Sequence, residues 1–477
     1  MKETFSRMSL KNKIFWSLVF VFTVILFYSY IYHDFLETAC EGVRFWDILF
    51  QGKIRDFYTQ TFLIGKTQYY PQYDFLMYII FAIWNLPLWI VQKVSAIDIY
   101  QSVICLMWMK TMLVAFAAVF IHMFRKLFET LEFTQEDNRL GILLFISSGF
   151  FMTSVVVLGQ YDLISMSLVA LGISYYLKGD TKKFILAFAI AIPLKFFSLL
   201  VFVPLVLLKE KKISRVLLNG ILVVLPDLIL RLLVPVHYIS AGHLTVAPGA
   251  TPASSATFSL GTLPIYADLY NTANIGFGKL FLYPFAEIIF LIFCYAFHVE
   301  ENKNRSKWVI YLSFMAYAIQ FTMSYSHPYW LLMLVPFMIL MIIQNKKIRY
   351  INIIVETVLT YGMILAQIFF FTWCYESDIV NLSFWSRIVP VQSTVTNIMT
   401  VASRFTADDR LQDYATGIGL SIFMAGMAVF SVLNCPALEG RLQVIQVEEK
   451  AQKWLVPFRI ILACVAGTVP LVFYFMA

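Results

Sequence analysis

Charge is scarce in this sequence. Of 477 residues only 14% are Asp, Glu, Lys or Arg, whereas 60% are hydrophobic and the mean hydropathy is +0.75, which leaves too little polar surface for a soluble domain. The six cysteines form no close pair of metal-ligand or redox spacing. Most fall in predicted helices and are read as free thiols, although Cys40 and Cys374 fall on the same predicted side. Zinc signatures, a P-loop, a dinucleotide glycine motif and a nucleophile elbow are all missing, so soluble nucleotide chemistry has no support. No internal repeat is visible, and no cofactor or metal is expected.

What is present is a series of apolar runs long enough to cross a bilayer, so the chain reads as an all-α polytopic membrane protein. The net charge of +7 comes from short basic clusters between the runs, the pattern of cytoplasmic helix ends, and does not point to nucleic acid. A basic N-terminus precedes the run 14–32, which is too long for a signal-peptide core and lacks a small-residue cleavage site, so it reads as an uncleaved first span with the N-terminus cytoplasmic. Alternation between the basic clusters then places the C-terminus outside and gives about eleven full spans.

Two segments break the alternation. Basic clusters at Lys183 and Lys209 are separated by roughly one crossing, yet both belong inside. A pair of half-helices broken near Pro193 resolves this, with Lys195 at the turn in a protein-lined or watered cavity. The segment 73–91 is followed by a span ending at Arg125, so it reads as a re-entrant or interfacial helix. Two modules follow: 1–235, with an acidic first outer loop, and 236–477, with long outer loops. The small, polar stretch 237–277 is expected to lack regular structure.

The first outer loop, "HDFLETACEGVRFWDILFQGKIRDFY", concentrates acids. On a helix, Asp34, Glu37, Glu41 and Arg44 share roughly an 80° arc of one face, and Asp47 flanks it. One carboxylate could act as a general base, with Arg44 binding an anion; alternatively the face is simply solvated, with Glu41 and Arg44 a local ion pair. Asp162, in the turn "LGQYD", could cap the next helix or work with Gln160 at the outer face. Lys195 is the sharper signal, because an intramembrane ammonium needs a phosphate or carboxylate partner. Lys110 invites the same reasoning. His327, in "SHPYWLLMLVPF", starts a helix with Pro328 in its first turn. Asp227 and Arg231, four apart, are expected to satisfy each other, whereas Glu287 and Glu356 look isolated.

The order "FWDILFQGKIRDFY", "YPQYDFLMYIIF", "GQYDLISMSLVALGISYYLKGD", "FILAFAIAIPLKFFSLLVFVPLVLLKEKK" and "SHPYWLLMLVPF" resembles the GT-C superfamily of polytopic, mannosyltransferase-like glycosyltransferases. The likeness covers about the first 210 residues and returns near His327. It implies a GT-C-like bundle in a bacterial plasma membrane, and transfer with inversion of a sugar from a polyprenyl-phosphate donor to a hydroxyl of a glycan, lipid or protein acceptor. It also implies an Asp or Glu of the first outer loop as base, with Glu41 and Asp47 ranked first, then Glu37 and Asp34. Gln160 and Asp162 would then line the sugar or acceptor site, Lys195 would meet the lipid phosphate, and Arg44 and His327 would add contacts. Outer aromatics such as Trp46, Tyr70 and Trp330 could stack on sugars. The rival readings are a transporter or flippase of lipid-linked sugars and an envelope polysaccharide polymerase or ligase.

Overall fold

The computed structural model describes residues 10–60, 62–64, 67–69, 71, 73–235, 272–275, 278–299, 304–324, 326–391, 395–406, 410–441 and 447–477. Most of the stretch 237–277 lies outside the described residues. The architecture is all-α, with two short antiparallel hairpins pairing Phe62–Ile64 with Thr67–Tyr69 and Thr272–Ile275 with Gly278–Phe281.

Helix α1 (Leu10–Tyr28) is followed by α2 (His33–Phe50), bent from it by 69°. Neither proline nor glycine makes this break. The released backbone groups find distant partners instead: Ile31 N–H donates to the Ile379 carbonyl at 2.7 Å, and the Tyr30 carbonyl accepts from Lys110. In an apolar environment such groups must be satisfied within the protein, so the break is set by tertiary contacts. Helix α3 (Phe75–Val94) packs along α2, and a Cβ on Gly42 would lie 2.6 Å from the Phe81 Cβ. The segment 73–91, expected to be a re-entrant or interfacial helix, instead lies, from Phe75 onward, in one continuous 20-residue helix that is long and apolar enough to cross a membrane.

Helix α4 (Val103–Thr130) precedes α5 (Gln135–Ile146) and α6 (Gly149–Val157), the last two bent by 51°. Helix α6 ends in a widened turn in which Leu158 N–H reaches the Thr153 carbonyl at 2.9 Å. Gly159 follows at φ +63°, a left-handed conformation that glycine adopts without strain. Then come α7 (Leu163–Leu177), α8 (Thr181–Ala191), α9 (Ser198–Lys209) and α10 (Ile213–Leu233). The α8–α9 pair has Pro193 and Lys195 in its intervening turn.

The remaining long helices are α11 (Leu282–Ala296), α12 (Arg305–Met323), α13 (Pro328–Gln344, opening as a 3₁₀ turn), α14 (Arg349–Phe370), α15 (Leu411–Asn434) and α16 (Glu449–Met476). Helices α14 and α15 touch at glycines, a Cβ on Gly419 falling 2.5 Å from the Gly362 carbonyl oxygen. Small residues permit such close backbone approach where lipid supplies no hydrophobic drive for helices to associate.

Among the described residues six helices, α3, α4, α10, α14, α15 and α16, are long and apolar enough to cross a membrane. Counting each bent pair, α1–α2 and α5–α6, as one span gives eight. This corrects the about eleven full spans implied by charge alternation. Helices α7, α9, α11 and α13 are apolar but only 10–17 residues long, short of the ~20 residues that match a ~30 Å hydrocarbon core. One apolar core runs through both expected modules, from Leu26 to Tyr474.

Basic helix ends are knitted together at one end of the bundle. Asp137 at the start of α5 meets Lys346 at 3.0 Å and Arg349 at 2.6 Å, and Lys211 donates to the carbonyls of Cys294, Tyr295 and Phe297 at the end of α11.

Candidate functional site

Asp34 lies in the first turn of α2 and is half-buried. Its Oδ2 accepts hydrogen bonds from the Tyr329 hydroxyl at 2.9 Å and the Tyr73 hydroxyl at 3.2 Å. These donors come from the start of α13 and from just before α3. One carboxylate oxygen is therefore held by two phenols, while Oδ1 has no protein hydrogen bond among the described residues. A base needs that combination of fixed orientation and an available lone pair.

Lys195 is the cation of the same region. Its Nζ lies 2.9 Å from Asp162 Oδ1, with side-chain exposures of 12% and 0%, so the pair is largely removed from water. The rings of Tyr73, Phe197 and Trp330 surround the ammonium at 5.7, 5.8 and 5.7 Å, a cage that favours positive charge. The contact with Asp162 is one of charge, since neither carboxylate oxygen has hydrogen-bond geometry with a described partner. Gln160, also fully buried, leaves both amide atoms unpartnered among the described residues. Such groups are costly unless a ligand or water completes them.

His327 joins the two halves of the site. Its ring stacks on Tyr329 at 5.3 Å and meets Trp330 edge-on at 4.8 Å. Burial pushes its imidazole below the ordinary 6.5, Asp34 opposes that shift and Lys195 adds to it. Tyr73 links the site to the turn before α7, packing edge-on against Tyr161 at 5.3 Å. The Tyr161 hydroxyl is 3.0 Å from Thr38 Oγ1 on α2. At the rim, His33 Nε2 meets Asp378 Oδ2 at 2.9 Å. That hydrogen bond raises the His33 pKa against the effect of burial and lowers that of Asp378, while burial pushes Glu376 up to about 7.

The structure thus gathers Asp34, Asp162, Lys195 and His327, with Gln160 two residues before Asp162 in the chain, and gives Glu41 and Asp47 of α2 other partners. Glu41 is fully buried with both oxygens 3.2 Å from Arg44 Nη1, so Arg44 serves as its local partner. Asp47 lies ~20 Å along α2 from Asp34. It pairs with Lys93 at 2.8 Å and accepts from Trp89 Nε1 at 2.9 Å. Glu37 is buried one turn beyond Asp34.

Tyr73 and Tyr329 were not singled out by the sequence, because at 17% aromatic content a tyrosine carries no signal. Of the aromatics expected to stack on sugars, Trp330 is in the site, Tyr70 lies outside the described residues, and Trp46 donates to the Ala82 carbonyl at 2.9 Å. Asp227 and Arg231 do pair, at 2.8 Å, and Arg231 also meets Asp74 at 2.5 Å. Glu356, isolated in the sequence, is paired with the fully buried Arg459. No group of three or more His, Cys, Asp or Glu side chains suited to a metal occurs among the described residues.

Comparison with protein-family models, curated proteins and solved structures finds no match to this chain.

Proposed function

We propose that this chain is a membrane glycosyltransferase of the GT-C kind. In this reading it moves a sugar from a polyprenyl-phosphate donor to an acceptor hydroxyl at the outer face, with inversion. The observation that carries the reading is the juxtaposition of a tyrosine-held carboxylate, Asp34, with a caged, buried cation, Lys195, at broken helices.

In this reading Asp34 is the base, in preference to Glu41 and Asp47, whose carboxylates are occupied by Arg44 and by Lys93. The acceptor oxygen attacks the anomeric carbon and its proton passes to Asp34. The bond from the anomeric carbon to the phosphate oxygen breaks, and the lipid monophosphate leaves with the bonding pair. Lys195 stabilises the charge that develops on that leaving group, a role for which a fixed cation in a dry site is suited. Asp162 holds the ammonium in place before the donor arrives, and the open amide of Gln160 supplies hydrogen bonds to hydroxyls. His327, kept neutral by burial, leaves the cationic role to Lys195.

A lipid-linked donor is favoured by α10. Only 11% of its most apolar stretch is buried within the protein, and its Arg231 binds Asp74, which in turn feels the charge of Lys195. An apolar helix face thus runs up to the polar site. The rival transporter reading draws on the same broken helices but gives Asp34 and its phenols no task.

The test is sugar transfer from synthetic polyprenyl-phosphate sugars by purified protein in lipid nanodiscs. Wild type should cleave at least one donor, Asp34→Asn should lose about 10²–10⁴-fold in rate, and Lys195→Ala should weaken donor use. Uptake or binding of the donor without cleavage, equal in wild type and Asp34→Asn, would overturn the reading in favour of transport.

A further inference from the structure

Lys110 is the eighth of the 28 residues of α4 and is fully buried. Its Nζ donates to the Tyr30 carbonyl at 2.6 Å and the Val156 carbonyl at 2.9 Å, and sits 4.8 Å from the centre of the Phe27 ring. An intramembrane lysine needs a reason to be there. Here the two acceptors supply it.

Neither carbonyl belongs to a regular helix interior. Tyr30 lies in the break between α1 and α2, where the chain turns by 69°. Val156 lies in the widened turn that ends α6. Carbonyls at helix ends lack an intrahelical partner, and within a membrane no water replaces it. One ammonium therefore satisfies two helix ends that are 126 residues apart in sequence, counting from Tyr30 to Val156.

Each break opens directly into the candidate site. Asp34 follows Tyr30 by four residues, and Asp162 follows Val156 by six. The two segments also touch beyond the lysine: Thr38 Oγ1 is 3.0 Å from the Tyr161 hydroxyl, and a Cβ on Gly159 would lie 3.1 Å from the Phe35 Cβ. The lysine ties the segments from below and these contacts tie them from above.

We propose that Lys110 is a positioning residue that fixes the spacing between Asp34 and the Asp162–Lys195 pair by clamping the two helix breaks together. Its bearing on turnover rests on the glycosyltransferase reading; the clamp itself does not. The test is hydrogen–deuterium exchange of wild type and Lys110→Met in nanodiscs, with donor turnover measured on the same preparations. If Lys110→Met does not fold, Lys110→Gln, which keeps amide donors without the charge, takes its place.

Loss of the clamp should speed exchange at residues 29–36 and 157–163 together, by about tenfold, with the rest of the bundle unchanged. It should lower kcat while leaving KM for the donor within about twofold. Exchange that rises in one segment alone, in neither, or across the whole protein would overturn the clamp. Coupled exchange with unchanged kcat would overturn the positioning role. If wild type turned over no donor, the glycosyltransferase reading would fall while the exchange result still decided the clamp.

Discussion

The Tyr329 hydroxyl donates to Asp34 Oδ2 at 2.9 Å across 295 residues of sequence. That bond selects one carboxylate from the acidic face of α2 and turns it toward α13, and the Tyr73 hydroxyl holds the same oxygen from the other side.

Tyr329→Phe removes a donor to a charged acceptor without changing the ring. A hydrogen bond to a charged group contributes about 1.5–3 kcal/mol, so on the glycosyltransferase reading sugar transfer should fall at least about tenfold, with thermal stability close to wild type. Tyr73→Phe should act in the same direction, and the double variant should lose less than the sum of the two. Wild-type kcat in the double variant would remove Asp34 from the reaction.

The rim segment should loosen as pH rises. The folded-state pKa of His33 is raised, chiefly by its hydrogen bond to Asp378. The stability it adds is therefore present below the ordinary value of 6.5 and lost as pH climbs through the folded value. Glu376, pushed up to about 7 by burial, is favoured in its protonated form, so it lowers stability as pH rises from the ordinary 4.5 to about 7, just below the His33 range. Amide exchange around residues 376–380 should be slower at pH 6 than expected from its chemical pH dependence, relative to pH 8. Asp378→Asn should flatten that difference; an unchanged pH dependence in the variant would exclude the His33 contribution.

The Arg459–Glu356 pair should be costly to break and cheap to replace. Arg459 also donates to Ser147 Oγ at 3.2 Å and the Leu144 carbonyl at 3.1 Å, so it stitches α16 and α14 to the bend between α5 and α6. Arg459→Met alone leaves a buried carboxylate unpaired and should destabilise by about 3–5 kcal/mol, whereas Arg459→Met with Glu356→Leu should recover most of that loss. Thermal unfolding in detergent measures both; equal losses in the single and double variants would contradict the account.

Gly419→Leu should force α14 and α15 apart, because its Cβ would fall 2.5 Å from the Gly362 carbonyl oxygen. Overpacking of this kind costs about 1–3 kcal/mol. Gly417, where a Cβ would meet nothing within 4 Å, provides the control, and Gly417→Leu should leave the unfolding temperature unchanged. Equal effects at both positions would show that the α14–α15 contact is looser than the structure has it.

Much of the membrane character could be read directly from the chain. Apolar runs and basic clusters act locally, through the cost of burying charge and of leaving backbone groups unsatisfied in lipid. Lys195 stood out for the same reason: an ammonium in an apolar run demands a phosphate or carboxylate partner, although that the carboxylate is Asp162 came only with the fold. The span count was less legible. A basic cluster marks a helix end, but it does not reveal that α7, α9 and α11 are too short to cross alone.

The sequence by itself determined an all-α chain for a bilayer, a break near Pro193 with a lysine in it, and a face of carboxylates on the first helix beyond α1. Only the tertiary structure decided which of those carboxylates shares Tyr73 with the lysine. That choice depends on the bend after α1 and on the rotation of α2 against α3 and α13, both fixed by hydrogen bonds from Lys110, Tyr73 and Tyr329. Partners so far away in sequence leave no periodicity along the chain, and so Glu356 looked isolated until Arg459, 103 residues on, folded against it.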